Sequence, residues 1–336
     1  MVKKIRKRIK RGPGRSQPAT GSQPPLLLRQ GSGQAALGKS PQLPSRYATE
    51  QLNRLISRII EREDIDNVDD LNAFMQEKIA NRPLDELLAE EELSLAEQAQ
   101  NLAYQAMDSQ DPGQMYELVE EALRLDRHCL DAQVVKARFT CKSDAAMIET
   151  LSRLIEQAEQ RMGKEFLEEN RGHFWGVTET RPYMRARDIL NVFLLRAGRD
   201  QEAVKNSELM LELNPNDNQG IRDTLLGLYL KNSDLAGASR LLKQFDNDLA
   251  AVHFWGRVLE RFLSGDLDGA KKAFRQAHKH NPHVADYLTG RKPVPQTPIN
   301  YYSRGSEEEA RVCLDELGAA WKAHPAAVEW LKTMKT

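Results

Sequence analysis

The chain has 336 residues, 48 Lys+Arg against 49 Asp+Glu, 29% charged residues and 6% aromatics. That length allows about two domains or one long repeat array, and a modest Gly (20) and Pro (15) content excludes collagen-like and wholly disordered chains. No apolar run approaches the ~18 residues of a membrane-spanning helix, so no membrane span is expected.

The near-zero net charge conceals an uneven distribution. Residues 1–46 hold eleven Lys/Arg and no acid, leaving 37 bases against 49 acids in the rest. A strongly basic arm thus precedes an acidic body, an asymmetry that points to an interaction tail. The three cysteines, Cys129, Cys141 and Cys313, form no C-x-x-C pair. An odd, sparse count argues against a disulfide framework and for a reducing compartment, so a cytoplasmic protein is expected. Leu26–Leu28 is too short for a secretory apolar region, although a basic, acid-free start also fits an organelle transit peptide.

Residues 1–46 are rich in Gly, Pro, Ser and Gln and are expected to be a disordered arm, because they cannot bury enough surface to offset ordering entropy. Lys3, Lys4, Arg6, Lys7, Arg8, Lys10 and Arg11 could contact phosphates, giving a salt-sensitive, sequence-blind affinity for nucleic acid. The bland alternative is a solvated basic end. Gly33-Gln-Ala-Ala-Leu-Gly38-Lys39-Ser40 satisfies G-x-x-x-x-G-K-[ST]. A phosphate loop needs a strand before it and a helix after it. Here Pro41 and Pro44 follow at once and oppose a helix. The string is read as a chance match, with a nucleotide-binding enzyme as the alternative.

From Tyr47 on, helical signals repeat. Leu52, Leu55, Ile56, Ile59 and Ile60 fall on one helix face. Asn67 or Asp69 can cap a second helix that carries Leu71, Phe74, Met75 and Ile79 and stops before Pro83. These form a small helical unit over residues 47–93. A third helix begins near Ser94, where Glu97 completes a capping-box signature.

Residues 94–291 read as a helical-repeat solenoid. Gly198, Ala203, Asn214 and Pro215 recur 67 residues later as Gly265, Ala270, Asn281 and Pro282. Ser233-Asp-Leu-Ala-Gly-Ala238 falls between them, which sets a period of about 33.5 residues. Tetratricopeptide repeats are about 34 residues long with an A-x3-F…P mark, and Ala270, Phe274 and Pro282 fit it. The expected fold class is therefore all-α, a tetratricopeptide-like solenoid. Glu121-Ala-Leu-Arg-Leu125 is a degenerate earlier copy, and its spacing implies an insertion near 159–183. Residues 292–336 supply a Pro-rich loop, Lys292–Pro298, and a final helix pair from about Ser306 that caps the array.

The inserted string Gly172-His-Phe-Trp-Gly-Val-Thr-Glu-Thr-Arg-Pro-Tyr-Met-Arg185 is distinctive. Together with Leu213–Arg222 and Asn281-Pro-His-Val284, it resembles the suppressor of tumorigenicity 7 family and its bacterial tetratricopeptide-containing relatives. The resemblance runs from about Leu93 to Leu331. It implies a helical-repeat interaction protein and transfers no catalytic residue. Animal members are membrane proteins, a trait this chain's hydropathy does not share.

If Pro215 and Pro282 mark equivalent repeat positions, first-helix faces present Arg185, Gln219, Arg222, Tyr229, Trp255 and Phe262 to one concave groove, beside Arg181 and Tyr183. Arginine forks and aromatics would receive an acidic and an apolar part of a partner peptide. The competing reading pairs Arg181 and Arg185 with Glu179 and Asp188 as structural ties. His278, His280 and His283 cannot share a helix face and read as surface residues, not a metal site. The expected function is non-catalytic: a scaffold that binds a protein or peptide segment, without cofactor or metal. The alternative is a nucleic-acid- or ribosome-associated factor using the arm.

Overall fold

The structure is a computed structural model that describes residues 47–62, 68–74, 76, 77, 82, 86, 92–299 and 301–334. The basic arm of residues 1–46, with Lys3 to Arg11 and the Gly33–Ser40 string, lies outside the described residues. Among the described residues every regular element is helical, and no helix is long and apolar enough to cross a membrane. They divide into two compact units, one ending at Arg187 and one starting at Asp188. The division falls inside a helix, Arg181–Arg196, and not at residue 93 or 291. Its polar side chains show why. Arg181, Tyr183, Arg185 and Arg187 find partners in the first unit. Asn191 finds Ser207 and Asn206 in the second.

The first unit comprises α1 (Ala48–Arg62), α2 (Val68–Phe74), α3 (Leu95–Asp108), α4 (Pro112–Leu125), α5 (Leu130–Thr140), α6 (Asp144–Met162), α7 (Lys164–Asn170) and the start of α8 (Arg181–Arg196). The capping box at α3 is present: Glu97 N donates to Ser94 Oγ at 3.3 Å, and Ser94 N donates to the Glu97 carboxylate at 2.8 Å. Two of the donors that a helix start leaves unpaired are thereby satisfied. α3, α4 and α5 meet through Ala99, Ala103, Ala106, Val119, Ala122 and Ala132, all fully buried. Small side chains at the crossing let the backbones approach closely. α6 buries Met147, Ile148, Leu151, Leu154, Ile155 and Ala158, the stripe of an amphipathic helix. The distinctive segment after α7 turns inward. Phe174 and Thr180 are fully buried, and Thr180 Oγ1 donates to the Val177 carbonyl at 2.8 Å and to that of Phe174.

The second unit holds the rest of α8, α9 (Asp200–Leu213), α10 (Ile221–Lys231), α11 (Leu235–Gln244), α12 (Ala251–Leu263), α13 (Leu267–His280), α14 (His283–Leu288), α15 (Glu307–Ala323) and α16 (Pro325–Thr333). The sequence recurrence has a structural counterpart. Gly198, Ser233 and Gly265 take φ of 68°, 59° and 79°, each two residues before the next helix. The following N–H closes the same wide turn each time: Arg199 to the Leu194 carbonyl, Asp234 to Tyr229, Asp266 to Arg261, at 2.9, 2.8 and 3.0 Å. Ala203, Ala238 and Ala270 are each fully buried in the helix that follows. Asn281 is buried and donates to the Ser306 carbonyl (2.9 Å) and to Glu309 (3.0 Å), tying the end of α13 to the start of α15. α15 packs on α10, α12 and α14. At Gly227 a Cβ would lie 2.2 Å from the Glu316 carbonyl oxygen, so only glycine permits that crossing.

Candidate functional site

The residues expected to line a groove are mostly committed to internal contacts. Arg185 is the centre of a buried network: Nη1 donates to Glu50 Oε2 at 2.8 Å, Nε to Asp131 Oδ1 at 3.0 Å, and Nη2 to both carboxylates. Tyr104 Oη donates to Glu50, and Gln100 Nε2 donates to Asp131 at 2.7 Å. Arg181 donates to the Trp175 carbonyl at 2.9 Å, stacks on that ring and reaches Glu50 at 3.6 Å. Tyr183 is buried, with its hydroxyl on Glu159 at 2.6 Å. In the second unit Arg222 donates to Asp217 at 2.9 Å and to Asp248 at 2.6 Å and lies over the Phe245 ring. Tyr229 is buried on Glu208, and Trp255 is fully buried against Phe274 and Trp321. Phe262 packs on Trp330, and Gln219 is half-buried.

Arg181, Tyr183, Arg185, Arg222, Tyr229 and Trp255 are therefore core and structural ties, while Gln219 and Phe262 stay half-buried. The structural reading of Arg181 and Arg185 wins, though with Glu50 and Asp131 as partners in place of Glu179 and Asp188. The physical reason is the cost of burial: a guanidinium that enters the interior must meet carboxylates there. His280 and His283 lie near Glu309 and Glu307 at 3.7 and 3.5 Å, and His278 stacks on Phe274.

Among the described residues the first unit opens a cleft of about 540 Å³. α1 contributes Arg54, Ser57 and Arg58; the α3 start contributes Ala96, Glu97 and Gln100. Asp126, His128, Cys129 and Leu130 come from the α4–α5 turn, and Ala158, Arg161 and Met162 from the end of α6. Glu179, Pro182 and Tyr183 close the remaining side. Helical spacing explains the walls: Arg54 and Arg58 stand one turn apart, as do Ala158, Arg161 and Met162.

Three arginines from two helices face this space, and they differ in how well they are satisfied. Arg58 Nη2 donates to the Glu92 carbonyl at 2.7 Å, and its buried Nη1 lies 3.3 Å from the Glu97 carboxylate without a hydrogen bond. Arg54 lies over the Tyr104 ring at 5.9 Å, and its buried Nε has no hydrogen-bond acceptor. Arg161 Nη1 sits 2.7 Å from His128 Nδ1. Arg127 Nε sits 3.0 Å from the other ring nitrogen, Nε2. The His128 backbone N–H donates to Asp126 Oδ1 at 2.8 Å, which fixes the turn that presents the imidazole. At the cleft's floor, burial pushes the Cys129 thiol up to about 12, so it remains a neutral thiol at physiological pH.

The cleft was missed in the sequence because its walls come from residues as far apart as 54 and 183. One signal existed. Arg54 and Arg58, and again Arg58 and Arg62, place like charges at i,i+4, which weakens a helix unless partners or ligands lie elsewhere. No family model matches the chain, and no curated protein matches it.

Proposed function

We propose that the chain is a non-catalytic, tetratricopeptide-like scaffold that binds a segment of a partner protein, and that its recognition site is the first unit's cleft. The observation that carries the reading is the mixed lining of that cleft. Cationic Arg54, Arg58 and Arg161 stand beside apolar Ala96, Leu130, Met162 and Pro182 and acidic Glu97, Asp126 and Glu179. Glu97 lies against Arg58, and Asp126 accepts from the His128 backbone. That leaves Arg54 and Arg161 for the acidic side chains of a segment that is also apolar. A volume of about 540 Å³ admits a few side chains, not a folded domain. The helical-repeat resemblance and the recurring turns of the second unit support the scaffold class. Stacked helix pairs bury a continuous core and leave their surfaces for partners.

The test places a photo-crosslinking residue at Met162 in the full chain and challenges capture with a peptide that alternates Glu and Leu. Capture competed by the peptide, and lost in Arg54→Glu with Arg161→Glu, is the expected result. Capture indifferent to both would end the reading. A nuclease arm of the same experiment addresses the second reading, in which the eleven Lys/Arg of residues 1–46 hold a nucleic acid. Capture that disappears with nuclease and with the arm, while the cleft variant behaves as wild type, selects that reading.

A further inference from the structure

We infer that the cleft of the first unit is an oxyanion receptor, in which Arg54 and the Arg161–His128 pair together receive a carboxylate or phosphate group. The inference deepens the partner-binding reading of the same site and rests on it for the identity of the carrier, though not for the anion chemistry.

Two independent observations ask for an acceptor there. Arg54 Nε is buried, hydrogen-bonds to nothing, and belongs to a side chain held by the face of Tyr104. Its nearest acid along the helix, Glu50, is already spent on Arg185, Arg181 and the Tyr104 hydroxyl. A buried N–H without an acceptor costs free energy that a ligand oxygen recovers. The second observation is the imidazole. A neutral histidine has one acceptor nitrogen and one N–H. His128 meets a guanidinium N–H at both nitrogens, Arg161 at Nδ1 and Arg127 at Nε2. Whichever tautomer is present, one of those contacts sets donor against donor. If His128 is protonated, both do. An oxyanion accepts from several N–H groups at once and neutralises the cluster, and guanidinium forks match its geometry.

Arg58 stands beside them in the same cleft. Its Nη2 donates to the Glu92 carbonyl at 2.7 Å, while its buried Nη1, 3.3 Å from Glu97, makes no hydrogen bond and adds one more N–H that a ligand oxygen could take up.

The test uses the full chain at low ionic strength. Calorimetric titrations with inorganic phosphate and with succinate, a dicarboxylate, probe the two sources of the same chemistry. Saturable binding of at least one is expected. Arg54→Gln and Arg161→Gln should each weaken it by roughly tenfold or more, since each removes a charge-assisted contact. Arg257→Gln in the second unit, whose guanidinium pairs with exposed Asp246, should leave it unchanged. Tighter succinate binding identifies the carrier as an acidic side chain or chain terminus, and tighter phosphate binding identifies a phosphorylated group. Circular dichroism checks each variant; if Arg54→Gln does not fold, Arg161→Gln and His128→Ala carry the test, because both positions are exposed. Absence of saturable binding of either probe overturns the inference, as does equal binding by wild type and the cleft variants. If either anion binds through these residues but the Met162 capture fails, the receptor stands and the protein-partner reading falls. If capture succeeds and neither anion binds, the reverse holds.

Discussion

Each unit buries an arginine among carboxylates and against an aromatic ring, and the two arrangements differ in charge balance. In the first unit Arg185 lies 5.6 Å from the centre of the Tyr47 ring and 5.7 Å from that of Tyr104, with Glu50 and Asp131 as its acids and Arg181 as a second cation at Glu50. Two guanidiniums answer two carboxylates. In the second unit Arg222 lies 5.3 Å from the centre of Phe245 and alone answers Asp217, Asp248 and, at 3.9 Å, Asp223. Burial pushes the Asp188 carboxyl up to about 7, with Glu316 and Asp217 adding repulsion. Burial also pushes Glu316 up to about 7 although it accepts a hydrogen bond from Thr224, and it raises Asp223 well above the usual range against the pull of Arg222. Where buried acids outnumber the cation beside them, the excess holds protons. The shifted groups of the first unit support the contrast: burial moves Tyr104, Tyr183 and Cys129 further up from values already above neutrality.

The largest expected effect comes from breaking the balanced network. Arg185→Met keeps much of the side-chain volume and leaves Glu50 and Asp131 facing each other without their main cation. Removing one partner of a buried pair costs about 3–5 kcal/mol, so denaturant unfolding should show a loss of that order. The loss should shrink as pH falls, because the stranded carboxyls can then take up protons. Adding Glu50→Gln and Asp131→Asn should recover most of it. A loss under about 1 kcal/mol at neutral pH would mean that the network is decoration and not a tie.

How much of this was readable beforehand depended on distance along the chain. The capping box at Ser94 and Glu97 is a local device, and the sequence showed it in place. So did Gly198, Gly265 and the buried alanines, because a repeated turn demands the same residue types at the same spacing. Ser233 is the instructive exception. It takes the left-handed turn position without being glycine, and only its register with Gly198 and Gly265 marked it. The fate of Arg185 was not legible. Glu50 lies 135 residues away and Asp131 lies 54 away, and no periodicity links them. Trp255 and Tyr229 were legible as aromatic positions, but the depth of Trp255 depends on α13 and α15 covering it, and Tyr229 is held by Glu208 on α9 beside Gly237 on α11. The cleft was the least legible feature, since satisfied and unsatisfied arginines have the same letter.

A smaller effect should sharpen the comparison in the second unit. Asp188 and Glu316 bind protons more tightly in the folded chain than in the unfolded one, where carboxyls titrate near 4. Their contribution is present below about pH 4 and is lost as pH rises through about 7. Asp188→Asn with Glu316→Gln removes that dependence while keeping an acceptor for the Thr224 hydroxyl, which donates to Glu316 at 2.9 Å. The double variant should gain roughly 2 kcal/mol over wild type at pH 8 and little at pH 4, with relaxation around the ionised groups limiting the gain. Chemical denaturation across that range reads it directly. Parallel stability curves for the variant and wild type would place the pH response elsewhere.

The smallest effect concerns His253, which gives the second unit an acid-side response as well. The side chain is 5% exposed, and Nε2 lies 2.9 Å from Arg257 Nη2. Burial lowers its pKa to about 4, Arg257 lowers it further, and Asp248 and Asp246 only partly compensate. A depressed histidine favours folding above its unfolded value near 6.5, and that contribution is lost as pH falls through about 4. His253→Gln retains an acceptor for Arg257 and cannot gain a proton. Relative to wild type it should therefore lose about 1 kcal/mol less between pH 7 and pH 4, read as a smaller drop in melting temperature over that interval. The same interval relieves Asp188 and Glu316, so the two responses oppose each other and the wild-type curve should be broad. His253→Gln should tilt that curve toward the acid side, whereas Asp188→Asn with Glu316→Gln should tilt it toward the basic side. Identical acid limbs for His253→Gln and wild type would show that the imidazole stays neutral for a reason other than its burial beside Arg257.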